Sequence, residues 1–95
     1  MPNVILISAG PPERRIVLET LPAIIGRDVS SDICLDDSRV GGFQCLLDQE
    51  AGNVFVLDLG TKNGTFVNGE RVKRAELRPG DTLTVGRIDF VVQER

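Results

Sequence analysis

Three short segments hold the side chains and backbone groups with recognisable chemistry. In Ile25-Gly26-Arg27-Asp28 an arginine follows a glycine at a turn. A guanidinium there can fork onto phosphate oxygens with two charge-assisted hydrogen bonds, or simply be a solvated surface charge. In Val40-Gly41-Gly42-Phe43-Gln44 a glycine pair can present successive backbone N–H groups as a concave anion nest, or act as a plain flexible turn. In Thr61-Lys62-Asn63-Gly64 a lysine supplies a point charge. The amide of Asn63 both donates and accepts, which suits a main-chain partner. Asn63-Gly64 also reads as a hairpin turn.

Catalysis has little to work with. The 95 residues include no histidine, which removes the commonest general base and the commonest catalytic metal ligand. The serines and threonines therefore have no imidazole to activate them. The carboxylate pair Asp36-Asp37 has no recognisable companion and reads as a solvated strand end. The cysteines, Cys34 and Cys45, each sit in an apolar stretch without a Cys-x-x-Cys spacing, so both are expected to be small buried hydrophobes in a reducing compartment. We expect no enzyme, no cofactor and no metal site.

Charge and composition narrow the partners. Eleven basic against 14 acidic residues give a net charge of −3, which argues against a general nucleic-acid binder. Four Phe, with no Trp or Tyr, are too few for an aromatic-lined sugar or single-strand platform. The N-terminal Val4-Ile5-Leu6-Ile7 run lacks the basic start and the length of a signal peptide's apolar core, and no stretch approaches a membrane span. The expectation is a cytoplasmic protein without a membrane partner.

The elements that position these groups are short strands. β-branched and apolar runs alternate with turn signals at Ala9-Gly10-Pro11-Pro12, Glu50-Ala51-Gly52-Asn53, Asn63-Gly64, Asn68-Gly69 and Pro79-Gly80. Asn-Gly suits a type I′ turn, whose two central residues need positive φ. Leu83 and Val85 alternate with Thr82 and Thr84, and Ile88, Phe90 and Val92 share a face. No window shows helical periodicity. The spacing predicts ten or eleven strands in a sandwich or barrel, as one domain over residues 1–95.

Taken in order, these turns resemble the forkhead-associated (FHA) domain family. Gly26-Arg27 matches its Gly-Arg, Asp32-Ile33-Cys34-Leu35 its Asp-Ile-x-Leu strand, and Asp58-Leu59-Gly60-Thr61-Lys62-Asn63-Gly64-Thr65-Phe66-Val67-Asn68-Gly69 its long Asp-Leu-Gly-Ser-x-Asn-Gly-Thr segment. Pro79-Gly80-Asp81 and Val85-Gly86 fit its last two strands. The resemblance implies an all-β, eleven-stranded sandwich that binds phosphothreonine peptides through loops at one end, in kinase-linked signalling. It implies a site of Arg27, Gly41, Gly42, Thr61, Lys62 and Asn63, with Asn63 on the peptide backbone, and Thr65, Phe66, Asn68 and Gly69 serving the fold. Family domains are commonly parts of longer chains, which leaves a longer parent protein open.

One element departs from the family. Its Val-Ser-Arg-x-His loop reads Val40-Gly41-Gly42-Phe43-Gln44, so Gly41 replaces the phosphate-binding Ser and Gln44 the His that ties the loop. A hydrogen bond to a charged group contributes roughly 1.5–3 kcal/mol, so losing the hydroxyl weakens binding about tenfold to a hundredfold. Backbone N–H groups of the glycine pair and Lys62 offer compensation, and Gln44 can still donate and accept. Two readings follow: a phosphothreonine module with a degenerate phosphate site, or a phospho-independent interaction domain that keeps the fold and binds an unphosphorylated partner. An exposed Phe43 would favour the second by anchoring a partner; a core position for it is the alternative.

Overall fold

The computed structural model describes residues 4–9 and 13–94. Among these, eleven strands run in chain order: β1 (Val4–Ser8), β2 (Arg14–Leu18), β3 (Ala23–Gly26), β4 (Ile33–Cys34), β5 (Cys45–Glu50), β6 (Asn53–Asp58), β7 (Thr65–Val67), β8 (Glu70–Val72), β9 (Arg74–Leu77), β10 (Thr82–Val85) and β11 (Ile88–Glu94). They form a six-stranded sheet, β2-β1-β11-β10-β7-β8, and a five-stranded sheet, β4-β3-β5-β6-β9. Every pairing is antiparallel except β3 with β4. The all-β sandwich expectation therefore holds. The Ala9-Gly10-Pro11-Pro12 breaker lies mostly outside the described residues.

Alternation along the strands sets which side faces inward. Leu83 and Val85 are fully buried while Thr82 and Thr84 are half-buried, and Phe90 and Val92 are buried with Ile88 packed against them. Leu6 on β1 belongs to the same layer; from the other sheet come Ile25, Leu47 and Val56, and Leu35, just after β4, joins them in the core. Burial of this apolar layer is the principal stabilising contribution, at about 25 cal/mol per Å² removed from water.

The turns behave according to their chemistry, with one exception. Asn68 (φ 51°) and Gly69 (φ 83°) join β7 to β8 with the two positive φ values of a type I′ turn. Ala51 (φ 51°) and Gly52 (φ 84°) join β5 to β6 in the same way. Asn63-Gly64 is not a hairpin. Its flanking strands β6 and β7 belong to different sheets, so the segment crosses from one layer to the other. Strands β8 and β9 have no distinct sequence signal, because each is a short edge strand that carries two exposed, charged residues.

Candidate functional site

The crossing geometry gathers three loops at one end of the sandwich: residues 27–32 after β3, 35–44 before β5, and 59–64 after β6. Their closure begins at Gly26. A Cβ there would stand 2.1 Å from the Gly42 carbonyl oxygen, so only glycine permits the approach. Once β3 and the 35–44 loop are that close, the Arg27 N–H donates to the Gly41 carbonyl at 2.9 Å and the Asp28 N–H to the Gly42 carbonyl at 3.0 Å.

Gln44 ties this pair of loops to the third. Its side chain is fully buried. Oε1 accepts the Gly41 N–H at 2.8 Å, and Nε2 donates to the Gly64 carbonyl (2.9 Å), Thr65 Oγ1 (3.0 Å) and Thr61 Oγ1 (3.2 Å). The tie that the family builds with histidine is thus made by an amide, with both its donor and acceptor used.

Asp58 holds the third loop from below. Its carboxylate accepts from the Gly60 and Thr61 N–H groups and from the hydroxyls of Thr61 and Thr65. Burial pushes this carboxyl up, but the hydrogen bonds from Thr65, Thr61 and Gly60 outweigh it and hold the group below its ordinary 3.8. Arg71, on β8, clamps the same loop from the side. Its Nη2 donates to the Thr61 and Lys62 carbonyls at 3.3 and 3.2 Å, and its guanidinium fills the space beside Gly64, where a Cβ would lie 2.6 Å from Nε. Gly64 at φ 86° accommodates both demands. Neither Asp58 nor Arg71 stands out as a site residue in sequence: Asp58 reads as motif, and Arg71 is recognisable only once β8 is placed beside β7.

The six expected site residues are brought to this one end, with different groups left available. The Thr61 hydroxyl is spent: it donates to Asp58 Oδ1 and accepts from Gln44 Nε2 and the Gly64 N–H. The Gly41 N–H is spent on Gln44. Of the glycine pair only the Gly42 N–H is left over; it and the N–H of Phe43 have no partner among the described residues. Asn63 donates through Nδ2 to the Arg39 carbonyl at 3.0 Å, leaving Oδ1 without a partner among the described residues. Arg27 and Lys62 are exposed, and their charged groups have no partner among the described residues. Asp28 beside Arg27 binds Ser30 instead, and those hydrogen bonds hold its carboxyl below the ordinary range.

One expectation changes. Cys34 is exposed rather than buried, because β4 is a two-residue edge strand with one face open; its thiol donates to the Arg27 carbonyl at 3.4 Å. Of the two positions left open for Phe43, the structure shows the exposed one, at 50%. Cys45 is buried as expected, and burial, reinforced by the Asp58 charge, pushes its thiol up to about 12. Asp37 is more than a solvated strand end, since its carboxylate accepts the Arg39 N–H at 2.8 Å and shapes the 35–44 loop.

Comparison with known proteins agrees with this architecture. The FHA domain family model matches residues 23–86. The glycogen accumulation regulator GarA of Mycolicibacterium smegmatis is 38% identical over 77 residues, covering 81% of this chain and 49% of the relative. The oxoglutarate dehydrogenase inhibitor of Corynebacterium diphtheriae is 32% identical over 93 residues, covering 97% of this chain and 65% of the relative. The chain thus spans between about half and two thirds of these relatives. Among solved structures, an FHA domain studied for phosphothreonine-dependent interactions superposes with a TM-score of 0.90 at 26% identity, covering 98% of this chain and 97% of that one. Mycobacterium tuberculosis EmbR, in complex with a low-affinity phosphopeptide, superposes with a TM-score of 0.91 at 25% identity, covering 99% of this chain and 25% of that one. With its two sheets, its loop frame and its matching motifs, the chain belongs to the FHA domain family.

Proposed function

We propose that residues 1–95 form one FHA domain that binds phosphothreonine peptides through Arg27, Lys62, Asn63 and the N–H groups of Gly42 and Phe43. Gly41 and Thr61 act as framework for that site rather than as direct phosphate ligands. The observation that carries the reading is the Arg27 guanidinium, left without a partner among the described residues while its own N–H is bonded to the loop that bears two free N–H groups. These donors match the acceptor oxygens of a phosphate dianion. The role is non-catalytic recognition in kinase-linked signalling, in the cytoplasm. Relatives named as a regulator and as an enzyme inhibitor support a regulatory role.

Matched phosphothreonine and unmodified peptide libraries test this. Phospho-dependent binding that falls at least about tenfold in Arg27→Ala is expected, since a charge-assisted hydrogen bond contributes roughly 1.5–3 kcal/mol. Equal binding to both libraries would instead support a phospho-independent partner, a reading that the half-exposed Phe43 favours.

A further inference from the structure

The strands that edge the two sheets are unequally guarded. β4 has two residues, β8 three and β9 four, with Arg74 of β9 drawn over the Phe55 ring and paired with Glu50. β2 is longer, at five residues, and holds no proline, glycine or lysine to discourage pairing. β1 occupies one side of it in an unbroken antiparallel register, from Val4 opposite Leu18 to Ser8 opposite Arg14. Alternate N–H and C=O groups of β2 point away from β1 and have no partner among the described residues.

The outer face beside this edge is apolar. Leu6, Ile16 and Val92 point inward, so Ile5, Ile7, Val17 and Val91 point outward. Ile5 is only 3% exposed yet stands outside the core cluster, because its outward neighbours cover it. Val17, directly opposite Ile5, is 40% exposed at the open edge. Arg15 shares Val17's face, and Glu19, one residue past the strand, continues the alternation. The Arg15 guanidinium has no partner among the described residues.

We propose that β2 is a self-association edge, where a second copy of this chain pairs its own β2 antiparallel about a two-fold axis through Val17 and joins the two six-stranded sheets into one. The charge pattern selects both the occupant and the register. Facing residues of a strand pair point to the same side, so inward residues meet inward ones only when the axis passes through a residue. Through Ile16 it would set Glu13 against Glu19 of the second copy, and through Leu18 it would set Val17 against that glutamate. Through Val17 it sets Arg15 against Glu19 of the second copy, twice over, with Val17 on Val17 and Ile16 on Leu18. Arg-x-Val-x-Glu is thus complementary to itself, as a two-fold interface requires. β2 starts at the recognition end, where the β10–β11 turn at Gly86 meets Val40. An antiparallel second copy therefore turns its recognition end the opposite way, and the pair presents two sites suited to bridging separate ligand chains.

Sedimentation velocity over a concentration series tests this. Wild type is expected to be a dimer that dissociates on dilution. Arg15→Glu sets Glu against Glu twice and Glu19→Arg sets Arg against Arg twice, so each is expected to weaken association at least about tenfold. An equimolar mixture of the two variants restores both opposite-charge pairs and is expected to dimerise at concentrations where neither variant does alone. Val17→Lys, at an exposed position, sets like charges together on the axis and is expected to be monomeric. Wild type that stays monomeric at about 1 mM, where even weak specific association registers, would overturn the proposal. So would a dimer that survives both charge reversals, or a mixture that stays monomeric. No peptide enters the measurement, so any of these failures leaves the phosphate reading standing.

Discussion

Gln44 Oε1 and the Gly41 N–H are joined at 2.8 Å, and the same amide group reaches across to Thr61, Gly64 and Thr65. The two family departures, glycine for serine and glutamine for histidine, therefore sit at the two ends of one hydrogen bond. Gln44→Ala leaves the Gly41 N–H and the Gly64 carbonyl short of a partner. Its expected cost is about 2–4 kcal/mol. At about 4–8 °C per kcal/mol for a domain of this size, thermal denaturation should show a large drop in Tm. A Tm within a degree or so of wild type would mean that the tie contributes nothing.

A serine cannot simply be put back at position 41. Its Cβ would stand 2.9 Å from Thr61 Cγ2 and 3.3 Å from Gln44 Oε1. Thr61 cannot rotate away, because its hydroxyl is held by Asp58, Gln44 and Gly64. Gly41→Ser alone is expected to destabilise by about 1–3 kcal/mol through overpacking. Adding Thr61→Ser removes the methyl and keeps the hydroxyl. The double variant should recover stability and bind a phosphothreonine peptide about tenfold tighter than wild type. Peptide titration and urea unfolding of the two variants check this; a single variant as stable as the double one would refute the steric account.

Acid should loosen the third loop. The Asp58 carboxyl titrates below its ordinary 3.8 in the folded protein. A depressed folded value means that its contribution is fully present above the unfolded value and is lost as pH falls from there through the folded value. Asp58→Asn should therefore flatten the stability profile below about pH 4. Denaturant midpoints measured from pH 5 downward read this out, and parallel profiles for the two proteins would count against it.

Ligand binding has a separate pH dependence. The chain has no histidine, so no side chain of ordinary pKa changes charge between about pH 5 and 8. The second ionisation of phosphothreonine lies near pH 6. Affinity for a phosphothreonine peptide should decline between about pH 7 and pH 5 while the domain's stability stays level over that range. A sulfate ester peptide, which has no second proton, should show no such decline.

Thiol reactivity should divide cleanly. Cys34 is exposed, whereas Cys45 is buried with its thiol pushed up to about 12. The thiolate is the reactive form. A mild alkylating agent at neutral pH should add once, at Cys34, and reach Cys45 only after denaturation; mass spectrometry of the intact protein and its peptides counts the additions.

The strands β1, β5, β6, β10 and β11, the hairpins at Gly52 and Gly69, and the inward rows ending at Val85 and Val92 were legible in the chain. Alternation and turn chemistry are local properties, carried within a few residues. The ordered motifs from Gly26-Arg27 to Asn68-Gly69 likewise located the recognition end. β8 and β9 were not legible, since edge strands gain their pairing from neighbours and carry polar residues on open faces. Nor could local sequence show that Asn63-Gly64 crosses between sheets, that the Thr61 hydroxyl is consumed by the frame, or that Arg71 stands behind Gly64. Those facts depend on contacts such as Gln44 with Thr61 and Thr65, 17 and 21 residues apart. Residue types determined which groups reach this end of the sandwich. Tertiary structure decided which of them remain free to bind, because a donor already satisfied by a distant neighbour has nothing left to offer a ligand.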